Sequence, residues 1–389
     1  MIKVVSIIKY FIAYLFIGLA LGSYFPVLTS YLKNDLKISS IQIGTLMAIT
    51  TIVPILTLPI WGIVTDKIKS PKRSLMIAVL FSAVLISLLT FIKTYILFFL
   101  IIALFMTFRA PIFALYDEIL INVCKERQVN YGTIRVGGSL GFAISAIIGY
   151  FYANLYGHEI IFILSGIFFL IVFIIIIVSD DVNYKENEKE KMNIKNDLPI
   201  LFNNKYFIII TILVGITYGV NDSNLPYMST YLENIAGSNQ YNALAIFLSV
   251  IIEVPMLYLT KYLYRIYSLK KIFLIINIMN VFRYLMFFLF PNYIMILMLA
   301  SVHGLTYSLS YPMLIQFTSE NVRTKVLATA YSLLSAIVAV STAFITYLTG
   351  LIIDSGVQNI FLLFLSIHIL NIILIIILLK NYDFKAKTV

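Results

Sequence analysis

The sequence has 389 residues, of which 61% are hydrophobic and only 12% are charged, with a formal net charge of +10 at pH 7. Because soluble domains are about one quarter charged, this composition excludes a soluble globular protein and indicates an integral membrane protein. The single cysteine, Cys124, excludes an intramolecular disulfide. No cysteine and histidine cluster offers a metal site, so neither a metal nor a cofactor is expected.

Apolar runs between charged or turn-rich breaks predict twelve membrane-spanning helices, since about 20 apolar residues cross the hydrocarbon of a bilayer. The predicted spans lie near residues 4–29, 41–64, 74–92, 95–120, 132–155, 159–179, 206–231, 242–264, 271–289, 293–317, 326–350 and 358–380. These runs are too long and too uniformly apolar for the strands of a membrane barrel. The predicted fold class is therefore an all-α integral membrane protein.

A polar stretch that is low in aromatic residues, from Ser179 to Lys205, interrupts this pattern. It divides the chain into an amino-terminal six-helix bundle (1–180), a cytoplasmic linker (181–205) and a carboxy-terminal six-helix bundle (206–389). A hinge between two bundles is what a transporter with two halves requires.

The basic residues predict the orientation. If the amino terminus is cytoplasmic, 22 lysines and arginines of the loops and termini lie on the cytoplasmic side, and only Lys33, Lys37 and Lys93 lie on the other. The positive-inside rule then predicts a multi-pass protein of the cell (inner) membrane with both termini in the cytoplasm. Since topology explains most of the net charge, the expected partners are the bilayer and a small-molecule substrate rather than nucleic acid. A monomer is expected.

Glu253 lies in the middle of the predicted eighth span, in SVIIEVPMLYL, with no polar residue within three positions. A charge at mid-membrane costs about 2.5 to 3.5 kcal/mol, so such residues usually serve function or a buried ion pair. Arg283 and His303 occupy the next two spans, and this succession predicts one polar cluster. A purely structural ion pair is the alternative to a role in substrate or proton binding.

A second candidate cluster joins Asp117, near the end of the fourth span, to Arg135, which opens the fifth span in YGTIRVGGSLGF. Antiparallel helices joined by a short turn place such residues at similar depth, so an ion pair between them is expected. The alternative is that Arg135 extends to the cytoplasmic headgroups. Gly137 and Gly141 form a small-residue face on which a neighbouring helix can pack closely.

The loop between the second and third spans reads GIVTDKIKSPKR. Asp66 falls where the second span ends and can interact with the positive end of another helix, while Lys67 and Arg73 can pair with acids or lipid phosphates. The loop resembles the one that marks the major facilitator superfamily. The glycine that usually follows the first basic residue is missing, with Lys69 and Ser70 in its place. The resemblance assigns conformational gating to Gly62, Asp66, Lys67 and Arg73.

Within that superfamily, nearly the whole chain resembles the lactose-permease and phenylpropionate-transporter branch of proton symporters. The resemblance is carried by GSYFPVLTSYL in the first span and by YGTIRVGGSLGF with Asp117 and Arg135, eighteen positions apart. The resemblance also includes Glu253, Arg283 and His303 in spans 8, 9 and 10. It implies twelve helices in two six-helix halves that expose a central site alternately to the two sides.

By the same resemblance, Asp117 and Arg135 lie in the substrate site, because the sugar permease binds its sugar with the acid and arginine of spans 4 and 5. An aromatic residue about two turns after the arginine stacks on the sugar. Phe142 stands there where the permease has tryptophan, so a galactoside is not expected. The resemblance assigns substrate recognition and proton coupling to three further residues: Glu253, Arg283 and His303.

Two positions depart from the permease. Its proton-carrying acid lies three residues after the histidine, where this chain has Thr306; phenylpropionate-type members share this gap. Asp222 resembles an acid of the seventh span, but Ala300 replaces the lysine that pairs with it in the family. Burial favours the protonated form of an aspartate that lacks this lysine. Asp222 is therefore a proton-carrying candidate beside Glu253, and Asp117 is a third.

The sequence thus predicts a secondary active transporter, not an enzyme, which takes up a small organic solute with a proton as coupling ion. An aryl carboxylate, a sugar and a nucleoside remain open as solutes. Export is the alternative, although drug exporters of the superfamily usually carry a glycine–proline motif in the fifth span, which has no proline here. A membrane-embedded enzyme or flippase would need sizeable outward loops, whereas those of this chain are short and hold single acids such as Asp35 and Glu159.

Overall fold

The computed structural model describes residues 2–129, 131–179, 199, 201–237, 240–322 and 326–379. Most of the predicted linker lies outside these residues. The α-helices within these ranges are Ile2–Tyr24, Leu28–Asn34, Ser40–Ile68, Pro71–Leu88, Tyr95–Arg109, Pro111–Arg127, Tyr131–Tyr156, Ile160–Val178, Lys205–Ala236, Gln240–Ile266, Leu269–Leu289, Tyr293–Asn321, Leu327–Ile352 and Asn359–Leu378. Within the described ranges no strand is present, and the predicted all-α class is confirmed.

These helices form twelve segments that are long and apolar enough to cross a membrane, here numbered spans 1 to 12 in chain order. Span 1 consists of the first two helices, and span 4 consists of Tyr95–Arg109 and Pro111–Arg127; each other span is one helix. A proline lies at each break: Pro26 in span 1 and Pro111 in span 4. Proline lacks the backbone N–H that continues the hydrogen bonding of a helix. Pro255, in contrast, lies inside the continuous helix Gln240–Ile266.

Backbone proximity divides the chain into two compact units. The first comprises Met1–Ser39, Ile49–Asn187 and Asn242–Phe247, and the second comprises Ser40–Ala48, Glu188–Tyr241 and Leu248–Val389. In the first unit span 1 packs on span 5 and span 3 on span 6, and in the second span 7 packs on span 11 and span 9 on span 12. The apolar core of the second unit lies between its helices and includes Phe207, Phe273 and Phe317. Both units therefore pair their first helix with their fifth and their third with their sixth.

Glycines let the backbones of spans 1 and 5 touch. A Cβ added to Gly18 would lie 2.1 Å from the carbonyl oxygen of Gly138, and one added to Gly141 would lie 2.0 Å from that of Leu15. Both distances are far shorter than a non-bonded contact, for which about 3.5 to 4.0 Å is optimal between carbon atoms. The close packing expected at Gly141 is confirmed. At Gly137 the added Cβ would lie 3.0 Å from another carbonyl oxygen of span 1, which is also a tight contact.

A lysine at the start of span 3 caps the end of span 6. The side chain of Ser70 accepts a hydrogen bond from the backbone N–H of Arg73 and so caps the start of span 3. The ammonium group of Lys72 donates to the carbonyl oxygen of Ser179 at 2.6 Å, at the last turn of span 6. Carbonyls in this position have no partner within their helix, and a cation there also complements the helix dipole.

The second unit repeats this arrangement. Ser268 caps the start of span 9 by accepting a hydrogen bond from the backbone N–H of Lys271. Lys270 donates to the carbonyl oxygen of Leu379 at 3.0 Å, at the end of span 12. The sequences SPKR and SLKK share only serine and lysine, yet the same two side chains make the same two contacts in each half.

Three acids near the ends of the spans have partners in the structure. Asp35, at the end of span 1, lies 2.8 Å from Nδ1 of His158. Glu159 pairs with Lys93, and the hydroxyl of Ser40 contacts Asp354. Lys93 and Glu159 are both exposed, so their ion pair adds only about 0 to 1 kcal/mol.

Candidate functional site

Spans 1, 4 and 5 bring four polar side chains together in the first unit. The hydroxyl of Tyr14 donates to Oδ1 of Asp117 at 2.7 Å. The guanidinium carbon of Arg135 lies 5.9 Å from the ring centroid of Tyr131. The charges of Asp117 and Arg135 both act on the two tyrosines. We call Tyr14, Asp117, Tyr131 and Arg135 the amino-terminal cluster.

The structure corrects the expected pairing of Asp117 with Arg135. Both side chains are described, and their charges lie close enough to interact, but they form no direct ion pair. The carboxylate of Asp117 is instead held by Tyr14. Arg135 is exposed and Asp117 is half-buried. The cluster therefore keeps a carboxylate and a guanidinium side by side without direct mutual contact.

Aromatic packing fixes the position of Tyr14. Its ring lies 5.3 Å from that of Tyr116, edge to face, and 5.9 Å from that of Phe113. Tyr116 is itself anchored, since its hydroxyl donates to the carbonyl oxygen of Tyr10 at 2.8 Å. On span 5, a Cβ added to Gly138 would lie 2.7 Å from the Tyr14 ring. Tyr14 can therefore reach Asp117 because glycine leaves room for its ring.

Sequence reasoning missed Tyr14 and Tyr131, because it searched the spans for charged residues. A signal was present: Tyr131 precedes Arg135 by four positions, which places both on one face of span 5. Phe142, the expected stacking residue, is half-buried. Its backbone packs against span 1 at Gly18. No ring contact links its side chain to the amino-terminal cluster in the part of the chain that the structure describes.

The second unit holds a buried guanidinium. Arg283 is only 1% exposed. Its Nη2 donates to Oδ1 of Asn221 at 3.0 Å and contacts the hydroxyl of Tyr284. The guanidinium carbon lies 4.4 Å from the ring centroid of Tyr284, a cation–π distance. We call Asn221, Asn280, Arg283 and Tyr284 the carboxy-terminal cluster, because Asn280 lies one turn before Arg283 on the same face of span 9.

His303 in span 10 is the neighbour that the sequence predicted for Arg283. The positive charge of Arg283 acts on the His303 ring. That ring lies 5.7 Å from the ring of Tyr307, whose hydroxyl contacts the hydroxyl of Tyr218 in span 7. Thr306, at the position of the permease acid, donates to the backbone carbonyl of residue 302 at 2.9 Å. The same hydroxyl lies 3.4 Å from Oδ1 of Asn280 in span 9, so this neutral side chain contacts both its own helix and the carboxy-terminal cluster.

The two candidate proton-carrying acids, Glu253 and Asp222, lie next to residues of the carboxy-terminal cluster and next to His303. A Cβ added to Gly304 would lie 3.2 Å from the backbone nitrogen of Glu253, so spans 8 and 10 touch next to His303. Asp222 follows Asn221 in span 7, and both acids are half-buried. No group of three metal-ligating side chains exists within the described ranges.

A buried polar network in spans 7, 9 and 12 was not predicted. Asn277 donates to the carbonyl oxygen of Phe273 at 2.8 Å, which identifies its Oδ1 as the acceptor. This oxygen lies 2.8 Å from Nδ1 of His368 and 3.1 Å from Nδ2 of Asn371, and it also accepts from Thr217. His368 must therefore carry its proton on Nδ1. The signal was the presence of His368 and Asn371, three positions apart, in the apolar sequence of span 12.

The predicted gating residues lie around the end of span 2 and the start of span 3. Gly62, Asp66, Lys67 and Arg73 are all exposed, and a Cβ added to Gly62 would meet no atom within 4 Å. Lys69 has a φ of +54°, a left-handed conformation that favours glycine. Lys69, where the motif has glycine, therefore has a backbone conformation that favours glycine.

These features match one family. Residues 7–363 match the family described as the MFS_1 like family. The chain belongs to this family of the major facilitator superfamily. The predicted resemblance and the fold of twelve spanning helices are thereby confirmed.

Two relatives are similar along nearly the whole transporter. An uncharacterized transporter, YwbF of Bacillus subtilis (strain 168), is 28% identical over 361 residues, which are 92% of this chain and 89% of the relative. A maltose permease of Geobacillus stearothermophilus is 23% identical over 374 residues, covering 96% and 94% of the two chains.

Solved structures show the same fold. The nucleoside transporter NupG superposes with a TM-score of 0.83 at 15% identity, covering 97% of this chain and 99% of its own. A D-xylose-proton symporter superposes with a TM-score of 0.76 at 13% identity, covering 95% and 96%. The protein is therefore a multi-pass membrane protein and a secondary active transporter, and it is not an enzyme.

Proposed function

We propose that this transporter takes up a small organic solute together with a proton, by alternating access of its two halves. The observation that carries the proposal is the amino-terminal cluster, where a carboxylate held by Tyr14 lies beside the exposed guanidinium of Arg135. Such a pair offers both an acceptor and a donor to a polar solute. The names of the relatives, a maltose permease and a D-xylose-proton symporter, support a small solute and a proton.

The proposal gives each predicted residue a role. The solute is bound by Asp117, Arg135, Phe142, Glu253 and His303. Proton coupling falls to Glu253, Asp222, Arg283 and His303, and gating to Gly62, Asp66, Lys67 and Arg73. The proton is the only coupling ion, and no cofactor takes part. The transporter acts as a monomer in the cell membrane, with both termini in the cytoplasm.

The driving force follows from charge. A proton on Glu253 or Asp222 removes a negative charge that otherwise favours one of the two access states. Each charge moved inward gains about 2.3 kcal/mol per 100 mV of membrane potential. Neutralising the coupling acid should therefore uncouple transport from the gradient without abolishing solute exchange.

The test uses the purified protein in proteoliposomes with an imposed inward proton gradient and radiolabelled maltose, uridine and benzoate as separate probes. The wild-type protein is expected to accumulate one of these probes above equilibrium. Glu253→Gln should lose accumulation but keep exchange between equal concentrations, whereas Asp117→Asn should lose both. Unimpaired accumulation in both variants would refute these roles, and gradient-driven extrusion from loaded vesicles would identify an exporter.

A further inference from the structure

The carboxy-terminal cluster contains more hydrogen-bond donors than the described chain satisfies. Four buried nitrogens have no hydrogen-bond partner among the described residues: Nε and Nη1 of Arg283, Nδ2 of Asn221 and Nδ2 of Asn280. The two asparagines are completely buried, and Arg283 is 1% exposed. Native proteins contain few buried donors without a hydrogen-bond partner, and the free-energy penalty is largest when such a donor is charged.

The charge of this cluster is also unbalanced. Arg283 forms no ion pair with any carboxylate that the structure describes, and its contacts are an amide oxygen and a tyrosine. In the amino-terminal cluster, by contrast, the charges of Arg135 and Asp117 lie close enough to interact. Water could satisfy the donors of Arg283, but only an anion would also balance its charge.

The geometry indicates how an anion would be held. Nη2 of Arg283 already uses both of its hydrogens, one towards Asn221 and one towards the hydroxyl of Tyr284. A bidentate pairing that includes Nη2 is therefore not available. Nε of Arg283 has one free hydrogen, and Nη1 and the two amide nitrogens have two each, so the remaining donors suit an oxyanion that is bound by several separate N–H groups.

We propose that Arg283, Asn221 and Asn280 form an anion subsite that takes the carboxylate of the transported solute. This inference rests on the proposed transport function and selects the carboxylate from the solute classes left open above. Because the three side chains are buried, the second unit would enclose the bound anion. Anion binding should therefore stabilise the fold, since a ligand that binds only the folded protein raises its stability.

The experiment measures thermal unfolding of the purified full-length protein in detergent without any gradient. Acetate and benzoate are compared with acetamide and benzamide, and a sodium chloride titration of equal ionic strength runs in parallel. The two carboxylates should raise the melting temperature of the wild-type protein by roughly 2 °C or more at saturation. The neutral amides and chloride should not.

Two variants test the subsite, and a third is the control. Arg283→Gln removes the cation, and Asn221→Asp places an internal carboxylate 3.0 Å from Nη2 of Arg283. Both should lose the shift caused by benzoate, and Asn221→Asp should also melt higher than the wild-type protein without any ligand. Arg109→Gln removes another arginine of a span, outside both clusters, and should keep the shift. If Arg283→Gln does not fold, the benzoate shift of Asn221→Asp still tests the subsite.

Three results would overturn the subsite: no stabilisation by either carboxylate, a benzoate shift that survives in Asn221→Asp, or an equal shift with chloride. The proposed function fails separately. If gradient-driven uptake is absent while the benzoate shift depends on Arg283, proton coupling is refuted and the subsite stands.

Discussion

Replacing Gly138 by alanine should break the hydrogen bond between Tyr14 and Asp117. The added Cβ would lie 2.7 Å and 2.8 Å from two ring carbons of Tyr14. Non-bonded carbons need about 3.5 Å or more, so the ring must retreat by about 1 Å. The ring cannot turn away freely, because Tyr116 and Phe113 pack against it. A retreat of this size stretches the 2.7 Å bond to the limit of hydrogen bonding.

A hydrogen bond to a charged group contributes about 1.5 to 3 kcal/mol. Gly138→Ala should therefore melt roughly 2 to 4 °C below Gly62→Ala, a variant in which the same gain in helix propensity occurs. Gly62→Ala is the matched control, since its Cβ meets no atom within 4 Å. Alanine in a helix is about 1 kcal/mol better than glycine, so this control should be neutral or stabilising.

A double-mutant cycle tests the mechanism itself. Tyr14→Phe removes the same hydrogen bond while it keeps the ring. Adding Gly138→Ala to Tyr14→Phe should therefore cost less than adding it to the wild-type protein, with a coupling energy of about 1.5 kcal/mol or more. If the two effects simply add, Gly138 does not act through this bond and the reasoning is refuted.

Three further predictions concern stability and use the same unfolding assay. Lys69→Gly should raise stability by about 1 kcal/mol, because it relieves a left-handed φ of +54°; a lower melting temperature would contradict this. Lys72→Met and Lys270→Met should each cost about 0.3 to 1 kcal/mol by uncapping spans 6 and 12, with faster hydrogen exchange confined to those helix ends. Their effects should add, since they lie in separate units. Gly141→Ala should destabilise far more than Gly62→Ala, because its Cβ would lie 2.0 Å from a backbone carbonyl that cannot move away alone; equal effects would argue against tight packing of spans 1 and 5.

Much of the fold could be predicted because hydropathy acts locally. The twelve spans follow from apolar runs and charged breaks, and the tight contact at Gly141 follows from the spacing of small residues. The capping repeat could not be predicted, because each lysine meets a carbonyl more than 100 positions away. Only the packing of the third helix on the sixth brings those atoms together.

The candidate site was predicted in part for the same reason. A charged residue in an apolar span can be recognised in the sequence, because a charge inside the membrane has a high free-energy cost. Asp117, Arg135 and Arg283 were found in this way. Their partners are neutral residues such as Tyr14 and Asn221, whose side chains are ordinary in a membrane helix. Nothing local in the sequence distinguishes them, since their role arises only when distant helices meet.

The twelve spans of this chain, the charges that lie among its apolar residues and its family all follow from local features of the sequence. These properties depend on the chemistry of each residue and on neighbours along one helix. The tertiary structure decided that Asp117 is held by Tyr14 rather than by Arg135, and that Arg283 is buried with donors left over. Those outcomes depend on how helices far apart in the sequence pack, and a side chain finds its partner only through that packing.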